Sequence, residues 1–133
     1  MMTVYVAGAS AELDLVSGYM AKLLEAGVTV TFDWPANIRA VGNANPREAS
    51  VGSRMQWSEE DLRGVYDAHT FWLLVPAGPT IGAWVEYGYA WALRRRIVVS
   101  GDHLKTIFTS LADHAFQTHD EALAFIIRRS KQT

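Results

Sequence analysis

Three short runs constrain the fold more than anything else in the chain: Val4–Ala7, Thr70–Pro76 and Arg96–Gly101. Each holds a continuous apolar stretch, Ile97–Val99 in the last case, so none alternates as a strand with one wet face would. Runs of this length read as strands buried on both faces, the signature of a parallel sheet covered by helices. "VTVTFDW", Val28 to Trp34, alternates and is β-branched, which predicts a further strand, second in chain order. Helical patterns fall between them. Leu13, Val16, Met20, Leu23 and Leu24 have helical spacing over Ala11–Ala26, with Ser10 placed to cap the start and Gly27 to end it. Ser58 opens "SEEDLRGVYDAH". After a turn at Gly78–Pro79 comes "GAWVEYGYAWAL", Gly82 to Leu93. Lys105–Gln117 predicts a short helical turn and then a fifth strand around Ala115–Phe116. Thr118 to Glu121 forms a capping-box pattern for a last helix, Glu121 to Arg129.

Strands that alternate with helices in this way predict an α/β fold: one domain over residues 1–133, built on a doubly wound, parallel, five-stranded sheet of flavodoxin or Rossmann-like type in the order 2-1-3-4-5. A length of 133 residues suits one core. A long loop is expected over 35–57, carrying Arg39, Arg47 and Arg54. In such sheets ligands bind beyond the carboxyl ends of the strands, near the switch point between strands 1 and 3. Gly8–Glu12, Ala77–Gly82 and Ser100–His103 are therefore expected to surround the site.

Composition narrows the function classes. A net charge of -2 gives no strong attraction to nucleic acid or anionic membrane. The chain has no cysteine, which removes disulfides and thiolate metal sites. His69, His103, His114 and His119 lack metal-ligand spacing, and no metal or other cofactor is expected. No apolar stretch has the length of a membrane span, and "TVYVAGAS" does not resemble a leader, so a cytoplasmic, unprocessed protein is expected.

The candidate site residues emerge from their neighbours. Glu86 is the one charged residue in "GAWVEYGYAWAL". Three and four residues away stand Gly82, Ala83, Tyr89 and Ala90, so no in-helix cation explains it. With no polar face, the helix is expected to be buried on nearly all sides. Burial would leave this carboxylate needing a partner and would raise its pKa. The plain alternative is a glutamate near a helix N-terminus, facing water. Asp61 follows Ser58 by three residues, which local rules read as a capping box. Tyr5 lies inside the first strand, where packing is the ordinary role. Gly8–Ala11 and Thr80–Gly82 each lead into a helix N-terminus, a ready place for an anion, but neither carries a full glycine fingerprint.

Together "VYVAGAS", "DLRGVYDAHTFWLLVP" and "GPTIGAWVEYGYAWALRRRIVV" resemble the nucleoside 2-deoxyribosyltransferase family and its relatives, the deoxynucleoside monophosphate N-glycosidases. The likeness runs through most of the chain outside residues 35–57. It implies Glu86 as nucleophile, Asp61 as an assisting acid lining the sugar and base site, and Tyr5 as the hydroxyl that orients the nucleophile. It places Thr80 at the substrate, with Ser110 reaching the pocket from a neighbouring subunit, while Gly8, Ser10 and Gly82 are expected at the substrate from their place at the sheet edge and the helix starts. Thr80 stands where members carry Asp or Ser, and no arginine follows the first strand, which leaves the substrate class open. Arg39, Arg47 or Arg54 could supply that cation from the long loop.

The residues suit the implied chemistry. Cleaving an N-glycosidic bond builds positive charge on the sugar, which a carboxylate under the anomeric carbon can stabilise or trap. A second acid must protonate the departing base. The expected partner is a nucleoside or nucleotide. The competing expectation is a non-catalytic nucleotide-binding or sensor protein on the same fold. Trp84, Tyr87 and Trp91 exceed what one sheet face can absorb, which predicts a homodimer through this helix.

Overall fold

The computed structural model describes residues 2–41 and 48–132. Five parallel strands form one sheet in the order β2-β1-β3-β4-β5, with β1 Thr3–Ala7, β2 Thr29–Val30, β3 Thr70–Leu74, β4 Arg96–Ser100 and β5 His114–Phe116. The helices are α1 Leu13–Glu25, α2 Trp34–Ala40, α3 Val51–Asp67, α4 Gly82–Ala92 and α5 His119–Ser130. Short 3-10 segments cover Ser10–Glu12 and Ile107–Leu111. The expected α/β fold and strand order are the ones observed. Among the described residues no helix is long and apolar enough to cross a membrane.

Strand alternation sends successive side chains to opposite faces. Tyr5, Phe71 and Ile97 lie opposite one another in register. Their face packs under α3 and α4, where the Phe71 ring meets Tyr87 edge-on. Val6, Trp72 and Val98 form the neighbouring row. Trp72 meets Tyr19 of α1 on the other face, and Phe116 of β5 meets Phe125 of α5. Burial on both faces explains why β1, β3 and β4 read as continuous apolar runs.

Several boundaries differ from the local reading. The segment expected as a loop over 35–57 contains α2 and the first two turns of α3. Asp33 accepts a hydrogen bond from the Ala36 amide, and Pro35 sits in the first turn, where a missing N–H costs nothing. The same cap shortens β2, which stops at Val30 well before Trp34. Ser50, not Ser58, caps α3 by accepting from the Ser53 amide. Ser58 lies inside that helix and its hydroxyl donates to the Arg54 carbonyl. Ser10 does not cap α1 either. It begins the 3-10 segment, and the α-helix proper starts at Leu13 without a side-chain cap. Gly27 does end α1, at φ 84°. The Thr118–Glu121 capping box forms, and α5 starts at His119 and runs to Ser130.

The helix α4 is not buried on nearly all sides. Ala83, Glu86, Tyr87 and Ala90 face inward, while Ile81 just before it and Val85 and Trp91 within it are exposed. Tyr87 is absorbed by its own chain: it packs on Phe71 and donates to the Phe108 carbonyl at 2.7 Å.

Candidate active site

Glu86 sits on the inward stripe 83-86-87-90 of α4, a spacing that puts every member against the sheet. It is only 8% exposed. A carboxyl in that position needs a donor. Tyr5 supplies it, its hydroxyl donating to Glu86 Oε2 at 2.8 Å across 81 residues of sequence. The reading of Glu86 as a solvent-facing helix-start residue is thereby excluded.

Tyr5 is held from several sides. It is fully buried, and its ring stacks on Phe71 at 5.9 Å. Gly64 of α3 lies directly against it. A Cβ there would come within 2.9 Å of the Tyr5 ring and 2.8 Å of Phe32 Cβ. Glycine at this position lets α3 settle onto the ring. No local pattern signals this, because one glycine in a helix is ordinarily a weakness.

Asp61 lies one turn before Gly64 and shares its inward stripe, 61-64-65-68. It cannot be the capping residue that its distance from Ser58 suggests, because α3 begins eight residues earlier than that reading requires. Burial first, then the neighbouring Glu60 charge, raises its pKa to about 6. Its charge is felt by both Tyr5 and Glu86. Burial first, then Asp61, pushes Glu86 up to about 8, against a lowering by the Tyr5 hydrogen bond. Tyr5 is raised well above its ordinary 10, by burial first and then by the two carboxylates, so it remains a donor. Tyr5, Asp61 and Glu86 thus form one electrostatic cluster.

No protein-family model matches the chain, and no curated protein matches it. The likeness read from the sequence motifs accordingly rests on the residues alone.

The remaining predicted residues divide. Thr80 is half-buried in the loop before α4, and Gly82 is its exposed first residue. Gly8 follows β1, where a Cβ would stand 2.6 Å from Val16 Cγ2, so close packing alone demands glycine there. Ser10 is exposed at the same edge. Ser110 is exposed in the Ile107–Leu111 segment and donates to the Ile107 carbonyl at 2.6 Å. Among the described residues no hydrogen bond joins Ser110 to the Tyr5–Glu86 pair. Arg39 pairs with Asp14 of α1 at 2.7 Å and also donates to Ser17. That engages it on the α1 side of the sheet, away from α3 and α4. Arg54 is exposed in the first turn of α3, and Arg47 lies outside the described residues.

The three loops expected around the site do meet. Glu12 accepts from the Ala77 amide at 3.0 Å, Lys105 donates to the Pro76 carbonyl, and the Val75 amide donates to the Ser100 carbonyl. Behind them, on the α1 and α5 side, Trp72 donates to Ser100 Oγ, which also pairs with His119 Nδ1 at 2.7 Å. Burial lowers the His119 pKa.

Proposed function

We propose that the chain cleaves or transfers the N-glycosidic bond of a nucleoside or nucleotide, with Glu86 as nucleophile, Asp61 as the acid that assists the leaving base, and Tyr5 holding Glu86 in aim. One observation carries this reading: a buried glutamate on the inward face of a helix, hydrogen-bonded to a buried tyrosine, with a second raised carboxylate beside it. A purely structural core has little use for such an arrangement, because apolar residues of similar volume pack there without a desolvation cost.

The chemistry follows from the proton count. Between about 6 and about 8 the two carboxyls hold one proton between them. The proton rests on Glu86, the weaker acid of the two, so a retaining displacement, which needs an ionised nucleophile and a protonated acid, begins by moving it from Glu86 to Asp61. As the C–N bond breaks, the Glu86 carboxylate bonds to the anomeric carbon, and the base leaves with a proton from the Asp61 side. A second base, or water, then attacks the same carbon and frees Glu86. Positive charge on the sugar favours an ionised Glu86, which shifts the shared proton toward Asp61 as the reaction proceeds.

The exposed apolar side of α4 supports a homodimer, the expected partner arrangement. Trp91 is 53% exposed, and with Trp84, Gly88, Phe108 and Leu111 it lines an apolar groove of about 730 Å³. Tyr87 contributes the floor of that groove and little surface. Sedimentation at micromolar concentration is expected to show a dimer, and monomer alone would remove the proposal.

The test of function is a panel of deoxynucleosides, ribonucleosides and their monophosphates, with and without a second free base, followed by chromatography. Base release or exchange that vanishes in Glu86→Ala is the expected result. Binding without turnover across the panel would move the chain to the sensor class, the reading that the Thr80 departure favours. Turnover that survives Glu86→Ala would remove Glu86 as nucleophile.

A further inference from the structure

The loop from Val75 to Ile81 joins β3 to the helix that carries Glu86, and it has little to hold it. Pro76 and Pro79 have no amide hydrogen, Ala77, Gly78 and Pro79 are exposed, and α4 begins at Gly82 with no side-chain cap from Ile81. Two side chains from elsewhere grip it at one point. Glu12, at the start of α1, accepts from the Ala77 amide at 3.0 Å. Lys105, from the segment after β4, donates to the Pro76 carbonyl. That carbonyl and that amide belong to the same peptide unit.

We infer that Glu12 and Lys105 act as a clamp that fixes the Pro76–Ala77 peptide in one orientation and so positions Thr80 and the start of α4 for the ligand at Glu86. An ionised glutamate only accepts hydrogen bonds, and a lysine ammonium only donates them. A flipped peptide would aim its carbonyl at the carboxylate and its N–H at the ammonium, both repulsive. The two side chains therefore specify one flip state, and among the described residues no backbone hydrogen bond does so for this peptide. The groups come from the loops after β1 and β4, so the clamp ties three strand ends to one peptide at the switch point of the sheet. The inference rests on the proposed reading of Glu86, and it assigns Glu12 and Lys105 as positioning residues, not as groups that touch the reacting atoms.

The test compares wild type, Glu12→Ala, Glu12→Gln, Lys105→Met and the double variant Glu12→Ala/Lys105→Met. Amide hydrogen exchange at Ala77 is read by NMR, global stability by urea denaturation, and KM and kcat on whichever nucleoside of the panel turns over. Glu12→Ala is expected to speed Ala77 exchange about tenfold or more, the loss of one charge-assisted hydrogen bond. KM is expected to rise by a similar factor with a smaller change in kcat, since Tyr5 still holds Glu86. Glu12→Gln keeps an acceptor oxygen and is expected to restore most of both. The double variant is expected to fall short of the product of the single effects, because both residues act on one peptide. Unchanged Ala77 exchange in Glu12→Ala, or single effects that simply multiply, would overturn the clamp. If no nucleoside turns over, the function reading fails, and the clamp is still decided by Ala77 exchange and by its coupling between the two single variants.

Discussion

Glu86→Gln keeps the shape of the side chain, and its amide oxygen can still accept from Tyr5. The difference between wild type and variant therefore isolates the ionisation of Glu86. A folded-state pKa of about 8 against an ordinary 4.5 means that the native protein keeps a proton the unfolded chain has already lost. Stability is then full below 4.5, falls as pH rises through that window, and levels off above about 8. From 4.5 to about 8, at about 1.4 kcal/mol for each tenfold step, the full loss is about 5 kcal/mol. Relaxation and water entry around the carboxylate bring the measured loss to about 2–5 kcal/mol. A domain of this size has about 5–15 kcal/mol in all, so the effect is large. Urea denaturation of both proteins at pH 5, 7 and 9 checks it. Wild type is expected to lose ground to Glu86→Gln between pH 5 and about 8 and to hold level above that. Parallel curves, or a gap that opens toward acid, would refute a buried Glu86 with a raised pKa.

If the shared proton drives catalysis, the pH–rate profile is bell-shaped, with its acid limb near 6 and its alkaline limb near 8. Tyr5→Phe removes the one interaction that lowers the Glu86 pKa, so the alkaline limb moves up; a limb that stays put would separate Tyr5 from Glu86. Gly64→Ala forces a methyl into Tyr5 and Phe32 and is expected to cost about 1–3 kcal/mol, with a loss of activity that a simple core defect elsewhere would not cause; denaturation and rate measurements on one sample check both. Thr118→Ala loses the α5 capping box, which lowers stability by about 1 kcal/mol in thermal denaturation and leaves activity unchanged.

The architecture was legible in the sequence because its cause is local. Strands buried on both faces must be apolar at every position, so Val4–Ala7 and Thr70–Leu74 declare themselves without any knowledge of their neighbours. Glu86 was legible for the opposite reason, as a charge where the pattern of α4 demands an apolar side chain. Asp61 was named only through the resemblance, because Ser58 three residues earlier offers a local explanation that only the start of α3 at Val51 removes. The loop expected over 35–57 failed in the same way: Pro35 and the small polar residues near it look irregular until Asp33 and Ser50 are seen to cap helices.

Sequence by itself therefore determined the class of fold, the order of its elements and the residue most costly to bury. The tertiary structure decided what that residue meets. Tyr5 reaches Glu86 only because β1 and β3 lie side by side in register, Gly64 lets α3 close over the tyrosine ring, and Glu12 and Lys105 reach one peptide from loops far apart in the chain. Periodicity and capping are properties of a few consecutive residues, and a sequence displays them directly. Hydrogen bonds and desolvation between elements depend on which faces the packing brings together, and no local pattern records that.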